Sequence, residues 1–149
     1  MTPEEINRRV ALALGWRTVV MPYNQLLAHR LIAWIPASRF AVESAWFQGA
    51  EEIPANADHQ GLTEALGYEC PRFCTDPAAA DLVRLEIERR GWEISLSMVP
   101  CTEGPSWYAE IDVEPFAEPP GPSVSGPTEG IRNPHHALCL AFLAATEQS

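Results

Sequence analysis

Residues 92–113 read WEISLSMVPCTEGPSWYAEIDV, and this stretch is the most informative part of the chain about its architecture. Apolar residues occupy every second position on both sides of a turn that contains proline and glycine. A period of two is typical of β-strands with one buried and one solvated face. The stretch therefore predicts an antiparallel hairpin formed by residues 92–99 and 107–114.

Helices are predicted on both sides of this hairpin. In each, a side chain that can cap a helix N-terminus precedes a proline, which fits the first helical turn. The capping residues are Thr2, Thr75 or Asp76, and Asn133. Apolar residues then recur at helical spacing. The three main helices are predicted at residues 3–14, 77–90 and 134–146. Together with the hairpin they predict an α+β fold in which helices cover an antiparallel sheet.

The length of 149 residues favours a single domain spanning 1–149. Residues 16–21 favour a short strand. Residues 22–73 are punctuated by prolines and fit no single period, so we interpret them as an insertion or a cluster of partly ordered loops. Residues 115–130 are predicted to form an acidic loop rich in proline and glycine, in which residues 123–125 could add an edge strand.

The charge balance limits the classes of partner. The chain has 20 Asp and Glu against 10 Lys and Arg, which gives a formal net charge of −10. Affinity for a phosphate backbone comes from many cationic contacts, so we expect no direct binding of nucleic acid. A signal peptide pattern is absent, and the longest apolar run, residues 137–145, is far shorter than the roughly 20 residues that span a bilayer. We therefore expect a cytoplasmic protein with no membrane partner.

No pattern in the sequence is typical of a catalytic or cofactor site. The chain has neither a Gly-x-Ser-x-Gly motif nor a glycine-rich phosphate loop. Cys70 and Cys74 have a spacing that zinc sites use, but no second pair with such a spacing follows them. The cysteines are expected to be reduced and free of metal. We predict a protein that is not an enzyme and has no cofactor.

Several segments resemble the phage ABA sandwich family, a group of small proteins common in phages and prophages. They are INRRV at 6–10, LGW at 14–16, TDPAAA at 75–80, RRGW at 89–92, WYA at 107–109 and the helix at 134–145. The resemblance implies the fold of that family and a phage or prophage setting, and hence the cytoplasm of a bacterial host cell. It implies no activity, because the family has no established chemistry.

The hairpin carries the main candidate binding surface. Residues 91–131 contain seven acidic residues and no basic residue. Glu110, Asp112 and Glu114 are predicted to share the solvated face, and Glu118 follows in the acidic loop. A row of carboxylates can engage a basic groove on a partner. We predict a non-catalytic phage or prophage accessory protein that binds a host protein through these residues, for example as an antagonist of a defence component that binds nucleic acid. The alternative interpretation is a solvated face without a partner.

A second candidate site lies at the start of the last helix. Exposed backbone N–H groups in a first helical turn favour anions. Arg132, Asn133, His135 and His136 lie there and could bind a small anionic ligand such as a nucleotide signal. The alternative interpretation is a helix cap with two surface histidines. The oligomeric state is open, and pairing of two copies through an edge strand or an apolar helix face is one option.

Overall fold

The computed structural model describes residues 1–22, 30–54, 57–127 and 130–148. The helices are α1 (Pro3–Ala13), α2 (Ala37–Glu43), α3 (Pro77–Arg89) and α4 (Pro134–Gln148). The strands are β1 (Arg17–Val20), β2 (Arg30–Ile35), β3 (Glu51–Glu52), β4 (Leu62–Glu64), β5 (Glu93–Val99), β6 (Ser106–Asp112) and β7 (Ser123–Ser125). The α+β class predicted from the sequence is confirmed. No helix in the described ranges is long and apolar enough to cross a bilayer.

The chain divides into two compact units. The first unit comprises Met1–Ala13 and Pro71–Ser149, and the second unit comprises Leu14–Cys70. The second unit contains most of the stretch that we interpreted as an insertion or a group of loops. Within its described residues it has four strands and one α-helix. Residues 23–29 and 55–56 of that stretch, and residues 128–129 of the predicted acidic loop, lie outside the described residues.

The three main helices of the first unit begin at their predicted caps. The Oγ1 atom of Thr2 accepts a hydrogen bond from the backbone N–H of Glu5 at 3.2 Å. Asp76 caps α3 through the N–H of Ala78 at 3.1 Å. Asn133 caps α4 in the same way. Such caps satisfy N–H groups that have no partner within the helix. The observed bounds agree with the predicted ones to within two residues.

The sheet of the first unit has the strand order β5-β6-β7. Both pairs are antiparallel, and β7 is the edge strand predicted within the acidic loop. Leu96 of β5 pairs with Ala109 of β6, and Met98 pairs with Trp107. The side chains of Ala109 and Ile111 are fully buried beneath the helices. We call this covered side of the sheet the inner face.

The far half of β5 is more exposed than its alternating pattern predicts. Leu96 retains 45% and Met98 retains 51% of their accessible surface, although both belong to the inner face. The reason lies in the strand order, because β5 is at the edge of the sheet. β6 also ends earlier than predicted, at Asp112. Glu114 adopts a φ of 48° and thereby leaves the extended conformation.

The second unit has its own sheet, with the strand order β3-β1-β2-β4. β1 pairs with β2 and β3 in antiparallel fashion, whereas β2 and β4 are parallel. Its core contains Val19, Ala33, Ile35 and Ala65, with Phe47 and Tyr68 packed against it. The rings of Phe47 and Tyr68 meet edge to face, with centroids 4.9 Å apart. This geometry is a favourable one for aromatic pairs.

Candidate functional site

The outer face of the three-stranded sheet gathers three carboxylates. Glu93 of β5 pairs directly with Asp112 of β6. Glu110 lies two residues before Asp112 and therefore points to the same side. The Oγ atom of Ser123 on β7 donates a hydrogen bond to Oε1 of Glu110 at 2.8 Å. We call the surface formed by Glu93, Glu110 and Asp112 the acidic face.

Electrostatics make the acidic face attractive to cations. Like charges at directly opposite positions of an antiparallel pair destabilise the sheet. Glu93 and Asp112 occupy such positions, and the strands β5, β6 and β7 contain no basic residue that could neutralise them. A cation placed between them would relieve this repulsion.

The structure separates the four predicted acidic residues into two groups. Glu110 and Asp112 lie on β6, within the acidic face. Glu114 and Glu118 are exposed but lie beyond the end of β6, where the regular alternation of the strand no longer applies. Glu93 joins the first group and was not among the predicted site residues. The antiparallel register was the signal that could have identified it, since pairing residues 92–99 with 107–114 brings Glu93 beside the C-terminal acids.

An apolar groove of about 450 Å³ lies on the other side of β5, within the first unit. The N-terminal parts of α3 and α4 and the middle of β5 form its walls. Its lining residues are Pro77, Ala78, Ala80, Asp81, Arg84, Ile94, Leu96, Pro134, His135 and Leu138. Binding pockets for small molecules have volumes of about 300–1,000 Å³ and combine an apolar lining with a few polar groups. This groove meets both criteria.

The polar groups of the groove are few and close to helix N-termini. A nitrogen of Arg84 lies 2.7 Å from Oδ1 of Asp81, and both side chains are more than half exposed. The first turns of α3 and α4 also border the groove, and the positive end of a helix dipole favours negative charge. The groove therefore suits an amphipathic ligand with a small anionic group.

The residues predicted to bind an anion have different environments. His135 lines the groove. Arg132 instead binds the turn between β5 and β6, donating to the carbonyl oxygen of Gly104 at 3.0 Å and lying 3.2 Å from a carboxylate oxygen of Glu103. Its hydrogen-bonding capacity is thus partly used within the protein.

Asn133 and His136 form the cap of α4. Oδ1 of Asn133 accepts a hydrogen bond from the backbone N–H of His136 at 2.9 Å, so one of the N–H groups that could hold an anion is already occupied. His136 is half-buried, and this burial lowers the pKa of its imidazole. The neutral imidazole that results is a weaker partner for an anion than imidazolium. Of the four predicted residues, His135 is the one that faces the groove.

The four cysteines are present as thiols in different environments. Cys74 and Cys139 are buried, Cys70 is half-buried and Cys101 is exposed. A hydrogen bond with Cys74, together with burial, raises the pKa of the Cys139 thiol far above its ordinary value. In the part of the chain that the structure describes, no group of three or more His, Cys, Asp or Glu side chains could hold a metal ion.

Sequence reasoning did not identify the groove, because its walls are far apart in the chain. Arg84, Leu96 and His135 come from three different elements. Each has an ordinary local explanation, as a solvated helix residue, a strand residue and a capping-turn residue. No local spacing connects them.

No protein-family model, no curated protein and no solved structure matches this chain. The resemblance to the phage ABA sandwich family therefore stays a prediction, and the functional argument rests on the two surfaces described above.

Proposed function

We propose that this protein is a non-catalytic binding protein that engages a basic surface of a partner protein through its acidic face. The observation that carries the proposal is the gathering of Glu93, Glu110 and Asp112 on one side of strands that contain no basic residue. The phage resemblance supports an accessory protein that acts on a host protein in the cytoplasm of a bacterial cell. A host defence component with a groove for nucleic acid would present the required basic surface.

Charge complementarity explains both the speed and the selectivity of such binding. The net charge of −10 would steer a basic partner toward the protein, and the acidic face would fix its position. A basic partner would also offset the like charges of Glu93 and Asp112, which occupy directly opposite positions of the β5–β6 pair. Binding should therefore weaken steeply with salt, since the Debye length falls to about 4 Å at 0.5 M.

The proposal is tested with the variant Glu93→Gln, Glu110→Gln, Asp112→Asn. The immobilised wild-type protein is exposed to an extract of bacterial host cells, and each captured protein is then purified and its dissociation constant measured. We expect the triple variant to bind at least about tenfold more weakly, because two or more charge pairs of about 1 kcal/mol each are lost. Raising the salt to about 0.5 M should have a similar effect on the wild type.

The matched control removes three exposed carboxylates elsewhere, in the variant Glu51→Gln, Glu69→Gln, Glu88→Gln. It has the same net charge as the test variant, so general steering is equal in both. The control should retain most of the affinity. Equal loss in both variants, or binding that does not respond to salt, would contradict a role for the acidic face.

The groove favours a second candidate function, the sequestration of a small anionic ligand such as a nucleotide. The observation in its favour is the position of His135 and Arg84 beside an apolar cavity that two helix N-termini border. In this function the apolar wall contacts the body of the ligand, and the helix N-termini attract its phosphate.

A thermal-shift screen with mono-, di- and cyclic nucleotides tests this second function. A ligand at 100 times its dissociation constant adds about 2.7 kcal/mol of stability, which is about 5–10 °C for a chain of this length. The variants Arg84→Ala and Leu138→Phe should abolish the shift, the second by filling the groove. The absence of any shift in the wild type would count against this candidate and would leave the acidic face unaffected.

A further inference from the structure

β5 is an edge strand without the usual protection against pairing. It is seven residues long and pairs with β6 over its whole length without a bulge. It contains neither Pro nor a basic residue, and Leu96, Met98 and Val99 are each at least 40% exposed. Natural proteins protect exposed edges by making them short, charged, bulged or proline-containing.

The other edge strands in the described part of the molecule are protected. β7 has only three residues. β3 has two residues, both Glu, and β4 has three. Among the edge strands in the described residues, β5 is thus the longest and the most apolar.

The hydrogen bonds of β6 show which backbone groups of β5 are available to bond to another strand. The N–H of Trp107 donates to Ile131, the carbonyl of Ala109 accepts from Gly126, and the N–H of Val113 donates to Pro122. The odd-numbered residues of β6 therefore direct their backbone groups away from β5. By the alternation of antiparallel pairs, the even-numbered residues bond to β5.

It follows that β5 uses Glu93, Ser95, Ser97 and Val99 to bond to β6, since these are the partners of the even-numbered residues. Ile94, Leu96 and Met98 then direct their N–H and C=O groups to the open edge. Leu96 and Met98 thus have exposed side chains, and their backbone N–H and C=O groups point to the open edge of the sheet.

We propose that two copies of this chain pair through their β5 strands, antiparallel and with a two-fold axis at Leu96. In this register Leu96 lies opposite the second copy's Leu96, and Ile94 lies opposite the second copy's Met98. Each of these pairs exchanges two backbone hydrogen bonds, because their N–H and C=O groups face the open edge. The product is a continuous six-stranded sheet, twice the three strands of the first unit.

The sequence of β5 is complementary to itself in this register. On the inner side, Ile94, Leu96 and Met98 contact apolar side chains of the second copy, which covers the surface that is exposed in one copy. On the outer side, Ser95 lies opposite Ser97, and Glu93 lies opposite Val99. Glu93 is the single charged residue of the strand, and in this register it does not lie opposite the second copy's Glu93. A parallel arrangement in register would stack Glu93 on Glu93 and is disfavoured.

The first test measures the molar mass in solution by light scattering over a range of concentrations. We expect a concentration-dependent rise from 16.5 kDa toward twice that value. The variant Leu96→Lys should weaken the dimer at least about tenfold, because it places two like charges directly opposite each other. Ser97→Lys is the matched control. It adds the same charge one residue away, on the outer side, and should retain the dimer.

The second test identifies the register by crosslinking. In a Cys70→Ser, Cys101→Ser background, Leu96→Cys places two thiols on the two-fold axis with Cα atoms about 5.5 Å apart, which suits a disulfide. Copper-phenanthroline, as the added oxidant, removes two electrons and two protons from the thiol pair. Leu96→Cys should crosslink, whereas Met98→Cys should not, because its partner is Ile94.

The dimer also has a distinctive response to salt. Two acidic chains repel each other, so higher salt should strengthen their pairing, whereas it should weaken binding of a basic partner to the acidic face. A mass of 16.5 kDa at all concentrations would overturn the proposal. A dimer that Leu96→Lys leaves unchanged, or equal crosslinking at positions 96 and 98, would also overturn it. Each of these results leaves the proposed function of the acidic face standing.

Discussion

Asn7 and Cys74 are 67 positions apart in the chain, and the Oδ1 atom of Asn7 accepts a hydrogen bond from the backbone N–H of Cys74 at 3.0 Å. Asn7 lies on α1, and Cys74 lies just before α3. Cys74 is almost completely buried. The bond therefore joins the two parts of the chain that make up the first unit, and it satisfies a backbone group that water does not reach.

Loss of this bond should destabilise the protein measurably. We expect Asn7→Ala to lower the free energy of unfolding by about 1–3 kcal/mol, because it leaves a buried N–H without a partner. The measurement is urea denaturation followed by tryptophan fluorescence. Asn7→Asp retains an acceptor of the same length and should recover most of the loss. If both variants matched the wild type, the bond would have no role in stability.

Gly121 should tolerate no side chain. A Cβ atom at this position would collide with the carbonyl oxygen of Val113, where the chain returns past the end of β6. We expect Gly121→Ala to cost about 3 kcal/mol or more, since a backbone atom cannot move aside as a flexible side chain can. The free energy of unfolding in urea is again the quantity measured.

The control for this prediction is Gly91→Ala. Gly91 has a φ of +72°, but a Cβ atom there meets nothing within 4 Å. The substitution should cost about 1 kcal/mol, the price of the left-handed backbone alone. A loss at position 121 no larger than the loss at position 91 would contradict the predicted collision with the carbonyl oxygen of Val113.

The free energy of unfolding should decrease as the pH is lowered below about 6.5, because of His136. Burial lowers the pKa of His136 from its ordinary value of 6.5. The unfolded chain therefore binds a proton first, and the contribution of the neutral imidazole is complete above 6.5 and is lost as the pH falls toward the folded pKa. His136→Gln should flatten the dependence of the melting temperature on pH in this window. An unchanged slope would contradict the assignment.

Glu86 should make the stability depend on pH in a second, more acidic range. Hydrogen bonds from Arg89 at 2.6 Å, supported by Arg90 at 2.9 Å, lower the pKa of the Glu86 carboxyl from its ordinary value of 4.5. This contribution is complete above 4.5 and is lost as the pH falls further. Glu86→Gln should reduce stability at neutral pH and flatten the curve below 4.5, while it leaves the window of His136 unchanged. The two variants thus serve as controls for each other.

The cysteines should differ in their reactivity. Cys101 is exposed, whereas Cys74 and Cys139 are buried and hydrogen-bonded to each other. Because the thiolate is the reactive form, burial and a raised pKa protect Cys139 from alkylation. In the native protein we expect a maleimide to label Cys101 first, then Cys70, and the buried pair only after unfolding. Peptide mass mapping measures the order. Early labelling of Cys139 would show that the core around it opens readily.

Sequence signals predicted correctly those features that are formed by residues close together in the chain. The capping residues Thr2 and Asp76 begin helices as expected, because a cap acts over three residues. The alternation in residues 92–113 predicted the hairpin, because strand side chains alternate regardless of context. The same alternation predicted that Glu110 and Asp112 share a face, but Glu114, whose positive φ ends the pattern, lies outside it, and Glu93 was not predicted.

The predictions were incomplete where contacts are distant. The described part of residues 14–70 contains a four-stranded sheet that mixes antiparallel and parallel pairs, and its short apolar runs carry no periodic signal. Arg132 was expected near an anion, but a loop 28 positions away supplies its partner, the carbonyl of Gly104. Such pairings depend on which elements meet, and no window of the sequence contains both partners.

Composition, caps and side-chain alternation thus determined the α+β class, the three main helices, the hairpin and the excess of negative charge. The helices and the hairpin depend on interactions between residues a few positions apart, and the net charge is a sum over the sequence. Only the tertiary structure decided that β5 is an edge, that Leu96 and Met98 remain exposed, and that α3 and α4 enclose a groove beside it. The physical reason is that an alternating strand specifies which side chains share a face, whereas the packing of distant elements decides how much of that face is covered.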